Sequence, residues 1–369
     1  MRMSCSPCTI SHTPEPPSIR SVSILLIVIA LAGLASCAQE PRLPALGADI
    51  RQTSVSGLSS GSYMAGQFQF AHSKIVIGAG IVAGGPYGCA ESVSGRMTPL
   101  WPVALAQNLN RALNGCTGTA MASFGVPDLG RLVQRARERA RDGSIDPLDG
   151  LREDRVYLFT GLKDRAIAPL LVRQAAHLYR TLGVKRENIA FVENKNAGHG
   201  FLTEDRGSSC STTAAPYLND CDYDQAGAIL KHIYGPLNSP APQTQGELLM
   251  FGQSEFTSGS GASFDDAGAV FIPESCAREK GCGVHIAFHG CGQGRGTVGE
   301  AFVKGAGYNR WAAANRIIVL YPQVTSSTVN PKGCWDWWGY SGPEFLTRNA
   351  PQTKAVRAML ARLTAMSAK

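Results

Sequence analysis

The sequence predicts an α/β protein built on a mostly parallel sheet, and three observations carry that expectation. Strand-like and helix-like segments alternate along the chain, as in units of parallel strands joined by helical crossovers. Several strands are continuous apolar, β-branched runs, the look of strands buried on both faces. Gly (41 residues) and Pro (21) exceed average usage in a chain of 369, which gives many tight turns. Apolar residues make up 44% and charged residues 17%, a globular composition that excludes a disordered or collagen-like chain. The net charge of +7 is spread along the chain, so it favours solubility without pointing to a nucleic-acid partner.

The elements follow in order. Ser21 to Ala35 is an uncharged apolar run, short for a membrane span and suited to a signal-peptide core. Leu34-Ala35-Ser36-Cys37 then resembles a bacterial lipoprotein cleavage box. Residues 1–36 are expected to be removed and Cys37 to carry lipid, anchoring an exported chain to a membrane facing periplasm or exterior. Ordinary secretory cleavage near the same point is the alternative. Residues 37–48, rich in Pro and Ala, read as a tether, and 49–369 as one domain. Thr53–Ser56 is a short β-type run ending at Gly57, and Ser60–Ser73 has helical spacing of Met64, Phe68 and Ala71. Ile75–Ala83 is a buried strand, Leu129–Arg141 an Arg-rich surface helix, Arg155–Thr160 a strand, Ala168–Leu182 a helix, Ile189–Val192 a strand and Tyr223–Tyr234 a helix. Residues 238–242 look like a linker. Leu248–Phe251 and Ala269–Ile272 read as an antiparallel hairpin, Val284–Phe288 and Arg316–Tyr321 as two more buried strands, and residues 352–366 as a closing helix.

Export changes the reading of the 11 cysteines. Cys5 and Cys8 leave with the signal and Cys37 takes lipid, so Cys89, Cys116, Cys210, Cys221, Cys276, Cys282, Cys291 and Cys334 remain. An even number in an oxidising compartment implies disulfides. Proximity suggests Cys210–Cys221, Cys276–Cys282, Cys89–Cys116 and Cys291–Cys334, although sequence does not exclude other pairings. A zinc site is the alternative to disulfides, but the mature chain holds no C-x-x-C pair, so no metal is expected.

Gly57-Leu58-Ser59-Ser60-Gly61 is G-x-S-x-G between a strand and a helix, the context a nucleophile elbow requires. Ser59 is the candidate nucleophile. A base and an orienting acid should follow later strand ends, in the order Ser, Asp, His. Asp164, after the strand at 155–160, and His199, after the strand at 189–192, lie where that topology asks. Asp205, Asp220 and Asp222 are fallback acids. His72, His177 and His232 sit in or beside helices, His285 lies inside a strand, and His289 reads as loop architecture. A tetrahedral intermediate needs two N–H donors. Ser60 supplies one, and the segment His289-Gly290-Cys291-Gly292-Gln293 is the candidate for the other.

The stretches GLSSGSYMA, VYLFTGLKD, NAGHGF, PYLNDCDYDQAGAILKHIYGPL, HIAFHGCGQ and CWDWW, in this order, resemble the extracellular poly(3-hydroxybutyrate) depolymerases. They resemble the branch whose α/β-hydrolase catalytic domain is circularly permuted, with the oxyanion strand after the triad. The resemblance covers residues 49–365. It implies Ser59 as nucleophile, Asp164 as orienting acid, His199 as base, and oxyanion N–H groups on Ser60 and Cys291. It also implies an indole near the cleft, matched by Trp335, Trp337 and Trp338. Closing Cys291–Cys334 would tie the oxyanion loop to those Trp residues beside Ser59. Many relatives carry a separate polymer-binding domain; none is read after the last helix here, so grip on polymer is expected from the catalytic domain. The expectation is a monomeric, cofactor-free serine esterase acting on polyester. Esterases of hydroxybutyrate oligomers or of feruloyl or acetyl polysaccharide esters are the alternatives, and a non-catalytic polymer-binding lipoprotein is the reading from another class.

Overall fold

A computed structural model describes residues 40–91, 100–118, 125–241, 244–257 and 262–366. The signal-peptide and lipid expectations at 1–36 and Cys37 lie outside the described residues.

The main sheet has eight strands: β1 (Thr53–Leu58), β2 (Val76–Val82), β3 (Arg155–Gly161), β4 (Ile189–Lys195), β8 (Gly246–Gly252), β9 (Ala267–Pro273), β10 (Gly283–Phe288) and β11 (Ile317–Tyr321). Their spatial order is β4-β3-β2-β1-β10-β11-β9-β8. All neighbours from β4 to β11 pair in parallel, and β9 alone runs against the rest. A second sheet joins β5 (Phe201–Thr203), β6 (Ser208–Ser209) and β7 (Leu218–Asp220) in the order β5-β7-β6. The longer helices are α1 (Ser60–Ala71), α2 (Trp101–Gly115), α3 (Leu129–Arg141), α4 (Pro169–Thr181), α5 (Gln225–Tyr234), α6 (Tyr308–Asn315) and α7 (Pro351–Thr364). Pro in the first turn of α2, α4 and α7 starts each helix at no hydrogen-bonding cost. α2, α6 and the small sheet have no counterpart in the sequence reading. The antiparallel β8–β9 pair is where the hairpin is expected.

Two segments depart from their expected looseness. Residues 40–48 are not a free tether: Leu43 is buried, the Leu46 and Ala48 N–H groups donate to Leu363 O, and Arg42 pairs with Glu255. Of the linker expected at 238–242, the described residues 238–241 are held on α6, where the Asn238 N–H donates to Asn315 Oδ1 and the Ala241 N–H to Arg310 O.

β1 is the central strand for function, and a buried polar chain holds it against β10. Tyr308 Oη donates to Ser56 Oγ, Ser56 to His285 Nε2, His285 Nδ1 to Ser54 Oγ, Ser54 to Tyr234 Oη, and Tyr234 to the Gln52 carbonyl. Ser54 gives its one proton to Tyr234, so His285 Nδ1 must donate to Ser54 and Nε2 accept from Ser56, which assigns the His285 tautomer. Burial drives the His285 pKa down to about 3, which keeps the ring neutral. A shift in the β1–β10 register would break several of these bonds at once.

Candidate active site

The turn from β1 into α1 presents Ser59. Its backbone is left-handed, with φ 57° and ψ −120°, and its N–H donates to Val82 O on β2. A serine at a helix N-cap normally accepts from the first turn; here its side chain makes no such bond. The hydroxyl is therefore not spent on capping. The two glycines of the motif have separate causes. A Cβ on Gly57 would lie 2.3 Å from Gly61 C and O, so strand and helix touch backbone to backbone. A Cβ on Gly61 would lie 2.4 Å from the carbonyl oxygens of Phe288 and His289, the end of β10.

Asp164 follows β3 and His199 follows β4, adjacent strands opening at the same sheet edge as Ser59. His199 Nδ1 lies 2.8 Å from Asp164 Oδ2, and both side chains are almost fully buried. Asp164 Oδ1 accepts from the Ala166 and Ile167 N–H groups at 2.8 and 2.9 Å, which fixes the carboxylate plane. A carboxylate on Nδ1 takes the Nδ1 proton and leaves the Nε2 lone pair for a reacting group. The two loops are stitched together by Leu162 N–H to Lys195 O and Lys163 N–H to Ala197 O. Gly161 permits this, since a Cβ there would overlap Ala197 O at 2.2 Å. The His199 N–H donates to Thr213 Oγ1. Among the described residues Ser59 Oγ and His199 Nε2 share no hydrogen bond, a contact that in serine hydrolases often tightens only with substrate present. The fallback acids are elsewhere: Asp205 is exposed and paired with Arg206, and Asp220 and Asp222 make no contact with His199.

The segment 289–293 leaves β10, the neighbour of β1, although it lies far along the chain. Three of its N–H groups have named acceptors. Gly290 donates to Gln293 Oε1, Gly292 to Lys332 O and Gln293 to Gly290 O. Among the described residues no protein acceptor is found for the Cys291 N–H or for the Ser60 N–H. His289 holds the turn: the Val324 N–H donates to its Nε2 and its Nδ1 donates to Gly290 O. Burial lowers its pKa to about 4, so it stays neutral. Gln293 Nε2 donates to the carbonyls of Pro216 and Tyr217, and the Tyr217 ring stands edge-on to His199 at 6.4 Å.

Cys89–Cys116, Cys210–Cys221, Cys276–Cys282 and Cys291–Cys334 are all joined. The last brings the Trp segment to the 289–293 turn, and the Trp335 N–H donates to Ser60 Oγ at 3.3 Å. The expectation of substrate contact is corrected for Trp335. It is 0% exposed, wedged edge-on against Phe288 and Phe264, so it walls the site from inside. Trp337 and Trp338 retain 7% and 8% exposure, and Trp337 stacks on Tyr63 at 4.4 Å. An indole gains most from burial, so a Trp-rich segment tied to a core strand folds inward. Sequence reasoning missed Tyr63, Tyr217 and the bracing by Gln293, because each meets the site only through long-range packing.

The chain is 38% identical over 342 residues to the poly(3-hydroxybutyrate) depolymerase of Delftia acidovorans, covering 91% of this chain and 64% of that protein. It thus spans a little under two thirds of that relative's length. It is 34% identical over 337 residues to the polyhydroxybutyrate depolymerase of Talaromyces funiculosus, covering 86% of this chain and 89% of the relative. Two solved structures match with a TM-score of 0.76 at 31% identity, over 88% of this chain and 98% of theirs. One is the PHB depolymerase of Penicillium funiculosum; the other is a serine-to-alanine PHB depolymerase complexed with an R3HB trimer. No protein-family model matches. With this similarity across most of its length and the site geometry above, the chain belongs to the poly(3-hydroxybutyrate) depolymerase family.

Proposed function

We propose that the protein is a serine esterase that hydrolyses poly(3-hydroxybutyrate)-type polyester through an acyl-enzyme. The observation that carries this reading is the Asp164–His199 pair at the same sheet edge as an uncapped, left-handed Ser59, in a family of polyester depolymerases. Ser59 Oγ attacks the ester carbonyl while His199 Nε2 takes its proton. The Ser60 and Cys291 N–H groups, both without protein acceptors, hold the oxyanion. His199 then protonates the leaving 3-hydroxyl, and the acyl-enzyme forms. A water activated by His199 attacks the acyl carbon, releases the carboxylic acid and regenerates Ser59. Asp164 holds the tautomer and stabilises the imidazolium throughout. The oxyanion strand β10 follows the triad strands in sequence yet neighbours β1, which supports a permuted chain order. Four disulfides fit an exported domain, onto which residues 40–48 also pack; a monomeric state and lipid on Cys37 complete the reading.

The test is release of soluble 3-hydroxybutyrate products from amorphous and crystalline films by wild type and Ser59→Ala. Release that falls at least several hundredfold in the variant supports the assignment. Near-normal turnover by Ser59→Ala overturns it. Cleavage of small esters without release from either film would replace the polyester with an oligomer or polysaccharide ester.

A further inference from the structure

Beside the small sheet lies a pocket of about 280 Å³ that is separate from the catalytic groups: Ser59, Asp164, His199 and Cys291 all lie outside its lining. One wall comes from β5, whose Leu202 and Thr203 follow His199 closely in the chain. The facing walls come from β8, β9, the turn 305–307 and the start of α6. Gly246, Gly305 and Gly307 add no side chains to these walls, which leaves the space open.

Part of the lining is apolar. Leu248 and Phe271 are cross-strand partners on β8 and β9, and Trp311 on α6 is held by donating its indole N–H to Asp224 Oδ2. The charged groups differ in what they already hold. Asp224 is occupied by Trp311 and by the Gly227 N–H. Arg206 pairs with Asp205 at 3.4 Å, and Lys304 pairs with Glu300. Two lining charges remain. Half-buried Arg310 and exposed Glu204 have no side-chain hydrogen bond or ion pair among the described residues. A cation that has lost part of its hydration without gaining a counter-ion favours an entering anion.

We propose that this pocket binds a short hydroxyacid, with its carboxylate on Arg310, its hydroxyl donating to Glu204 and its alkyl part on Leu248, Phe271 and Trp311. This rests on the polyester-hydrolase reading above, because hydrolysis of such a polyester releases molecules that carry a carboxylate and a 3-hydroxyl. A guanidinium can take a carboxylate through two parallel hydrogen bonds. A simple anion would satisfy Arg310 and meet the negative charge of Glu204, whereas a hydroxyl gives that carboxylate a proton to accept. A cavity of about 150 Å³ admits benzene, so 280 Å³ has room for a hydroxyacid monomer or its linear dimer. Product bound here is held outside the catalytic cleft.

The experiment uses wild type whose Ser59 has been capped with an alkyl phosphonate, so that the catalytic site is filled. The capped protein is titrated calorimetrically with (R)-3-hydroxybutyrate, its linear dimer, butyrate and 3-aminobutyrate. Binding of the hydroxyacids is expected, with butyrate, which lacks the hydroxyl, weaker. Hydrogen bonds to a charged group contribute about 10- to 100-fold in affinity, so Arg310→Gln is expected to bind hydroxybutyrate at least about tenfold more weakly. Glu204 is exposed, so its replacement does not threaten the fold; Glu204→Ala should erase the preference for hydroxybutyrate over butyrate. Equal binding by the parent and Arg310→Gln overturns the proposal. So does equal affinity of the parent for butyrate and hydroxybutyrate, which would mean a general anion site, or tighter binding of 3-aminobutyrate, which would mean an amino-acid site. A capped protein that binds none of these also overturns it and leaves the esterase reading intact. If the phosphonate neither attaches to Ser59 nor stops product release from polyester film, the polyester-hydrolase reading itself fails.

Discussion

Replacing Gly61 by Ala probes why this elbow has its shape. The new Cβ would sit 2.4 Å from Phe288 O and His289 O, both backbone atoms of the strand that carries the oxyanion turn. Ordinary contact needs about 1 Å more, so the start of α1 and the end of β10 must part by about that much. The two surfaces being separated carry the Ser60 and Cys291 N–H groups. A displacement of about 1 Å at a reacting centre costs about 10²-fold in rate, and loss of one oxyanion donor costs about 10²–10³-fold. The expected outcome for Gly61→Ala is a kcat on a soluble ester lowered about 10²-fold, with KM changed by less than about threefold. Stability should fall by about 1–3 kcal/mol from overpacking. Gly66 lies one and a half turns along the same helix, and a Cβ there would meet only Tyr179 Oη at 3.7 Å and Ile81 Cδ1 at 3.8 Å. Gly66→Ala is therefore the control and should retain activity and gain up to about 1 kcal/mol of helix stability. Steady-state kinetics and thermal melts on both variants decide the matter. A folded Gly61→Ala protein with kcat within threefold of wild type would refute the argument that this glycine sets the oxyanion geometry.

Two further predictions concern stability. Asp154 is buried and its carboxyl is pushed up to about 7 by desolvation, against the hydrogen bond from Gln69 Nε2. The folded state then holds a proton that the unfolded chain releases near the ordinary carboxyl value, so this group stabilises the fold below about pH 4 and loses that contribution as pH rises to about 7. Asp154→Asn should raise Tm by several degrees at pH 8 and hardly at all at pH 4; an equal gain at both would contradict the burial argument. The Cys291–Cys334 bond closes a sequence separation of 43 residues and ties the oxyanion turn to the Trp segment. The Cys291→Ala/Cys334→Ala double variant should lose about 2–5 kcal/mol of stability and also lower kcat on soluble ester. Unchanged melting in that variant would show that the bond braces nothing.

Much of the frame was legible in the residues themselves. Leu129–Arg141, Arg155–Thr160 and Ile189–Val192 show their periodicity and their flanking turns locally, and the structure has elements there, with the two strands running on to Gly161 and Lys195. Gly57-x-Ser59-x-Gly61 announces a strand–turn–helix because only glycine tolerates the backbone contact on either side. Candidate loops for Asp164 and His199 follow from strand ends in order, since local sequence marks where strands stop. Local pattern cannot say which distant surfaces meet. That β10 lies beside β1, and that Gln293 Oε1 and Lys332 O accept from Gly290 and Gly292 while the Cys291 N–H has no protein acceptor, follows only from packing between distant segments. Trp335 read as a groove residue because an indole suits polymer and core alike, and only packing against Phe288 and Phe264 buries it. The α2 helix escaped because Asn108 and Arg111 face inward while Val103, Leu109 and Leu113 are exposed, which blurs the pattern that identifies a surface helix. Sequence determined the elements and the chemistry each can offer, because both are set by short-range geometry; the tertiary structure alone decided which faces are buried and which N–H groups remain free, because those are sums over contacts between residues far apart in the chain.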